Sequence, residues 1–205
     1  MTIATTLALF LAMIALAAIP GPGVLAVTAR SVGAGLPHGL LAAAGVVAGD
    51  YVFITLALLG LVTLANLMGE LFVVIKYVGA AYLIWLGLSL IRSNSGNTQS
   101  SAVTTPKYSA SFAAGLITTL GNPKAIVFYI SFFPAFLDLA TVTVIDALII
   151  FAVATVAIGG VKVTYAYLAY KASTRYSGYA KSSVLRYASG SMLVGSGIYV
   201  ATRSA

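Results

Sequence analysis

Six long apolar runs follow one another along the chain: Ile3 to about Arg30, Leu40 to Leu64, Leu71 to Ile91, Phe112 to Phe136, Val144 to Tyr170, and Val184 to Val200. A helix of about 20 apolar residues matches the thickness of a bilayer core. The runs are rich in Ala, Leu, Val and Ile and lack the two-residue alternation of a barrel strand, so they predict helices. Ser93 to Tyr108 is the longest polar interruption, rich in Ser, Thr and Asn and without periodicity. It divides the chain into two halves of three helices each. The predicted organisation is a single transmembrane domain over 1–205, with repeat 1 over about 1–92, a linker over about 93–108 and repeat 2 over about 109–205.

Three spans is an odd number, so two halves of similar fold would lie in opposite orientations across the bilayer, the plan of many secondary transporters. The expected fold is therefore an all-α integral membrane protein with six transmembrane helices in two inverted three-helix repeats. The first helix of each repeat is interrupted by helix breakers, Pro20-Gly21-Pro22-Gly23 in one and Gly121-Asn122-Pro123 in the other. The first run could pass for a secretory signal, but no Lys or Arg precedes it and the first basic residue is Arg30, so it reads as a retained helix.

Composition narrows the chemistry. Of 205 residues 60% are hydrophobic and 7% charged, against roughly 25% charged in a soluble domain, which excludes a soluble fold. There is no cysteine and His38 is the single histidine, which leaves disulfides, thiolate metal sites and multi-histidine metal or haem centres without ligands. No metal and no cofactor is implied. The net charge of +7 would suggest nucleic acid in a soluble protein, but the basic residues lie mostly between apolar runs and read as topology signals. The loops after helices one, three and five carry Arg30, Arg92, Lys107, Lys171, Arg175, Lys181 and Arg186, whereas the opposite side has Glu70, Asp138 and Arg203. Both termini are thus expected outside and the linker in the cytoplasm. Tyr165, Tyr167, Tyr170, Tyr176, Tyr179 and Tyr187 surround the most basic loop as an interfacial belt.

Consecutive breakers inside an apolar run free backbone groups that lipid cannot satisfy, so such breaks survive only where they face protein or a wet cavity. Half-helices beginning near Val24 and Lys124 would aim N–H groups and a positive dipole end there, a place for a carboxylate. Asp50 lies near mid-membrane, where a carboxylate costs roughly 2.5 to 3.5 kcal/mol on insertion scales unless it is protonated, paired or hydrated. Lys124 follows the second break at similar depth, so an Asp50–Lys124 pair would relieve both. Lys76 and Lys162 lie nearer helix ends, within reach of the surface by their long stems. Tyr51, Phe128 and Tyr129 are candidates to line a cavity and face an ammonium group. The Gly45-Gly49 pair, and Ser191 with Gly195, predict close helix packing. His38, beside Pro37 at a helix start, is expected at a solvated interface.

Pro20-Gly21-Pro22, the run Gly45 to Asp50, Ile75-Lys76-Tyr77-Val78-Gly79-Ala80-Ala81-Tyr82-Leu83, and Gly121-Asn122-Pro123-Lys124-Ala125 with Phe132-Phe133-Pro134 resemble the LysE/RhtB lysine and homoserine exporter family over nearly the whole chain. The resemblance implies a six-helix bacterial inner-membrane exporter of amino acids or their derivatives, driven by the proton gradient and often a homodimer. It implies no enzyme activity, and it adds Lys76 to the site, because a lysine is usual there. Ala135 and Lys162 depart from the family pattern, which commonly has Gln and an aromatic residue at those places. The expected site comprises Asp50, Lys124, Asn122, Pro123, Pro20, Gly21, Pro22, Gly23 and Lys76, with an amino acid and protons as ligands and the lipid bilayer as surroundings. A divalent-cation exporter of related architecture would need several carboxylates at one depth, and a membrane scaffold would have no need of paired breaks and buried charge.

The basic asymmetry gives a direct test of orientation. A cysteine introduced at Ser95 in this cysteine-free chain should react with an impermeant thiol reagent only after the membrane is permeabilised; labelling of intact cells would reverse the orientation.

Overall fold

The computed structural model describes residues 1–59, 107–129 and 141–175, together with 136–137 and single positions within 77–92 and 187–202. Among the described residues every regular element is helical. In chain order they are α1 (Ile3–Ala18), α2 (Pro22–Ala34), α3 (Leu36–Leu58), α4 (Tyr108–Leu120), α5 (Pro123–Val127), α6 (Val144–Ala154), a π-helical turn (Thr155–Gly159) and α7 (Gly160–Arg175).

The apolar runs set these elements and the breakers set their ends. Thr2 caps α1 by accepting from the Thr5 amide at 3.2 Å. The chain bends by 61° where α1 gives way to α2. Pro22 opens α2 at a position where a missing amide hydrogen costs nothing. Gly35, at φ 95°, makes the tight turn from α2 into α3. Leu36–Leu58 and the continuous Val144–Arg175 are long and apolar enough to cross a membrane, and the bent α1–α2 pair is apolar enough to count as a third candidate if it forms one broken span. Thr143 and Asp146 form a reciprocal cap at the start of α6, and the Met1 ammonium donates to the same Asp146 carboxylate.

α3 is the central element, in contact with α2, α4, α6 and α7. Its tightest contact is with α4 and depends on missing side chains. A Cβ on Gly45 would collide with the Phe112 carbonyl, one on Gly49 would stand 2.7 Å from Thr119, and one on Gly115 would collide with the Ala42 carbonyl. Backbone approach replaces side-chain interdigitation, as expected where lipid provides little hydrophobic drive between helices. The core around this seam is accordingly rich in small residues, with Ala42, Ala57, Ala114 and Ala154 fully buried and larger plugs supplied by Leu9, Met13 and Ile54.

Several expectations are corrected. The second run begins helically at Leu36 rather than Leu40, which places Pro37 and His38 in the first turn of α3. His38 is consequently buried rather than solvated: its Nδ1 shares a 2.8 Å hydrogen bond with Ser111 Oγ, and its ring stacks on Tyr108 at 4.8 Å. The fourth run starts four residues early, at Tyr108, directly after Lys107. The Gly45-Gly49 packing holds, but Ser191 and Gly195 are exposed, and nothing stands within 4 Å of a Cβ built on Gly195. The segments at 60–76 and 130–135, with Glu70 and Lys76, and Asp138 lie outside the described residues.

Adding one methyl group at the α3–α4 seam should therefore be costly. Gly45→Ala should lower stability by about 1–3 kcal/mol, whereas Gly33→Ala, in open space on α2, should be neutral or gain up to about 1 kcal/mol. Thermal unfolding in detergent checks both.

Candidate functional site

The end of α1 lies inside a chain that spans the membrane, so its last carbonyls need partners that neither lipid nor a continued helix can give. Three side chains from the second half of the chain supply them. Lys124 Nζ donates to the carbonyls of Leu16 at 2.9 Å and Ile19 at 2.8 Å. Lys162 Nζ donates to Ala17 at 3.1 Å, and the Tyr165 hydroxyl to Ala18 at 2.9 Å. Two ammonium groups thus sit on the negative end of the α1 dipole, the favourable arrangement for a cation at a helix C-terminus.

Local sequence places each donor. Asn122 caps α5 by accepting from the Lys124 amide at 3.1 Å, and Pro123 starts the helix, which fixes where Lys124 leaves the backbone. The π-helical turn at Thr155–Gly159 adds residues to the helical turn just before α7 and so sets the direction in which Lys162 leaves it. Tyr51 braces that turn through a hydrogen bond between its hydroxyl and Thr155 Oγ1, with its ring edge-on to Phe151. Room for the lysines comes from the first break: a Cβ on Gly21 would stand 3.6 Å from Lys124 Nζ, and one on Gly23 would stand 3.9 Å from Lys162 Cε.

Between these groups lies a cavity of about 30 Å³. Asp50, Lys124, Lys162, Asn122 and Thr119 contribute its polar wall, while Leu16, Val24, Val46 and Ile158 contribute apolar surface. Asp50 is only 4% exposed. The Tyr129 hydroxyl lies against its carboxylate, and both lysines lie within electrostatic reach. Tyr129 in turn stacks on Phe53 at 5.6 Å and meets Phe128 edge-on at 5.2 Å.

Of the residues predicted for the site, Asp50, Lys124, Asn122, Gly21 and Gly23 line this cavity. Pro22 and Pro123 begin the helices that border it. Pro20 is exposed on the bend, and Lys76 lies outside the described residues. The direct Asp50–Lys124 pair is corrected: among the described residues no ion pair joins them, because the Lys124 ammonium is held by the α1 carbonyls. Lys162 is also corrected. It does not snorkel to the surface but is buried at 5% exposure in the cavity. A linear count of depth along α6–α7 does not foresee this, and the signal available was Gly159-Gly160 just ahead of it, where the helix changes pitch. Tyr51 braces the π-helical turn, and Tyr129 rather than Phe128 presents a polar group to Asp50.

A charged cavity beside a broken helix, in a chain whose described elements are all helical, is the plan of membrane transporters in which irregular backbone lines a site. The LysE type translocator family model matches residues 14–204, and the chain belongs to that family. It is 40% identical to an uncharacterized membrane protein of Synechocystis sp. over 194 residues, 95% of this chain and 94% of that one. It is also 40% identical over 121 residues to the leucine efflux proteins of Salmonella typhimurium and Salmonella typhi, a match spanning 58% of this chain and 57% of each relative. No solved structure matches.

Lys124→Met should leave the Leu16 and Ile19 carbonyls without their charged donor. The expected cost is about 1.5–3 kcal/mol, while Lys171→Met, on an exposed stretch of α7, should change stability by less than about 0.5 kcal/mol. Thermal unfolding of the two variants in one detergent checks the contrast.

Proposed function

We propose that the protein exports amino acids with apolar side chains across the bacterial inner membrane, in exchange for protons, by alternating access. The observation that carries this reading is the gathering of Asp50, Lys124 and Lys162 in one cavity at the break of α1. A zwitterion requires one group of each sign, and the cavity offers both within an otherwise apolar wall. The Asp50 carboxylate takes the substrate ammonium. Lys124 uses two of its three N–H bonds on α1, so the third remains for the substrate carboxylate. The first-turn amides of α2 assist, since no side chain caps that helix at Gly21. The leucine efflux relatives support an apolar amino acid as the cargo.

A space of about 30 Å³ has room for about two waters, which corresponds to a closed state; an amino acid enters only when the helices around α1 and α2 part on one side. In this reading the full chain has six spans in two inverted repeats with both termini outside, and it works as a homodimer in the membrane. A divalent-cation exporter fits less well, because among the described residues the cavity holds Asp50 as its carboxylate.

Purified protein in liposomes, assayed with a panel of amino acids under an imposed pH gradient, tests the reading. Export of L-leucine should follow the gradient. Asp50→Asn should insert normally yet lose both gradient-driven export and exchange of labelled for unlabelled leucine, since the ammonium has lost its partner. Full exchange by Asp50→Asn would remove Asp50 from the site.

A further inference from the structure

Lys162 has a different setting from Lys124. It comes from α7, its ammonium makes its bond to the Ala17 carbonyl, and it is almost wholly enclosed. Around it stand Asp50 from α3 and Lys124 from α5, both within electrostatic reach. Tyr129 lies against Asp50, and Tyr165 of α7 is engaged on the Ala18 carbonyl. α1 and α2 present backbone and apolar groups to the same space, through Leu16, Ala17, Gly21, Gly23 and Val24. In transporters with broken helices, the carbonyl end of a half-helix is where a coupling cation binds. Here that place is taken by an ammonium tethered to the protein.

This inference rests on the zwitterion-export reading above. We infer that Lys162 is the proton carrier of the antiport, its ammonium competing with the substrate ammonium for the Ala17 carbonyl and the Asp50 carboxylate. Both cations need the same acceptors, and two ammonium groups do not share them in an enclosed site, because like charges brought together there cost several kcal/mol. Facing the cytoplasm, Lys162 gives its proton to water and becomes a neutral amine, and the substrate ammonium takes its place. Facing outside, the amine takes a proton from water, returns to Ala17 as an ammonium, and expels the substrate. One proton enters for each zwitterion that leaves, and no bond other than N–H forms or breaks. A lysine can serve in this way and an arginine cannot, because the guanidinium does not give up its proton in proteins.

The test uses L-leucine and the purified full chain. Binding of leucine to the wild type should release about one proton per leucine bound, by linkage, read by calorimetry in buffers of different ionisation enthalpy. Absence of proton release would overturn the proposal. Lys162→Gln keeps a donor for the Ala17 carbonyl but cannot titrate; it should bind leucine without releasing a proton and lose stimulation of export by a pH gradient. Lys162→Arg keeps a permanent charge and should bind leucine weaker by roughly tenfold or more. Proton release retained in Lys162→Gln, or wild-type affinity in Lys162→Arg, would overturn it as well. If the substituted chains fail to insert, absence of proton release by the wild type would still overturn the proposal. These results are distinct from failure of the export reading, which would show as no binding or export of leucine or any other amino acid of the panel by the wild type.

Discussion

The carbonyl end of α1 is the constraint on which the rest of the site depends. A helix that stops inside a membrane leaves acceptors that must be satisfied by the protein itself. In this chain Lys124, Lys162 and Tyr165 reach across from beyond residue 107 to do so, at distances of 2.8–3.1 Å. The consequence is that the polar groups are assembled at the break by the backbone itself. Asp50 offsets part of their charge from the opposite wall, with the Tyr129 hydroxyl beside it.

Such a staple needs a rigid frame. The α3–α4 seam provides it, because Gly45, Gly49 and Gly115 let the two backbones touch. Asp50 lies one residue after Gly49, and Asn122 and Lys124 lie just past the end of α4. Close packing at the seam therefore fixes the carboxylate on one side of the cavity and the capped α5 start on the other. The first break is held in addition by hydrogen bonds from the ends of long side chains.

Much of this was legible in the residues taken singly. The first, second, fourth and fifth apolar runs, the two breakers, the cost of burying Asp50 and the small residues at 45 and 49 each follow from a local rule, and each marks an element or cavity residue among the described residues. The family resemblance rested on the same motifs. Lys162 was not legible as a site residue, because its depth was counted along an ideal helix, and the π-helical turn at Thr155–Gly159 changes that count. His38 was misplaced for a similar reason: a start at Leu36 turns it toward Ser111 and Tyr108 instead of toward water.

The sequence by itself determined that the chain is helical, apolar enough for a membrane, interrupted at two places and charged within its apolar runs. Those properties depend on composition and on spacing within about one span, and every residue concerned carries its own cost or preference. Only the tertiary structure decided which charge meets which partner. Charge and depth favour Lys124 against Asp50, yet Lys124 is bound to Leu16 and Ile19. A helix end offers several fixed acceptors at hydrogen-bond distance that have no other partner, whereas a carboxylate a little farther away is reached by the field alone. Acceptors of that kind belong to the backbone, and their position is set by where two distant segments meet.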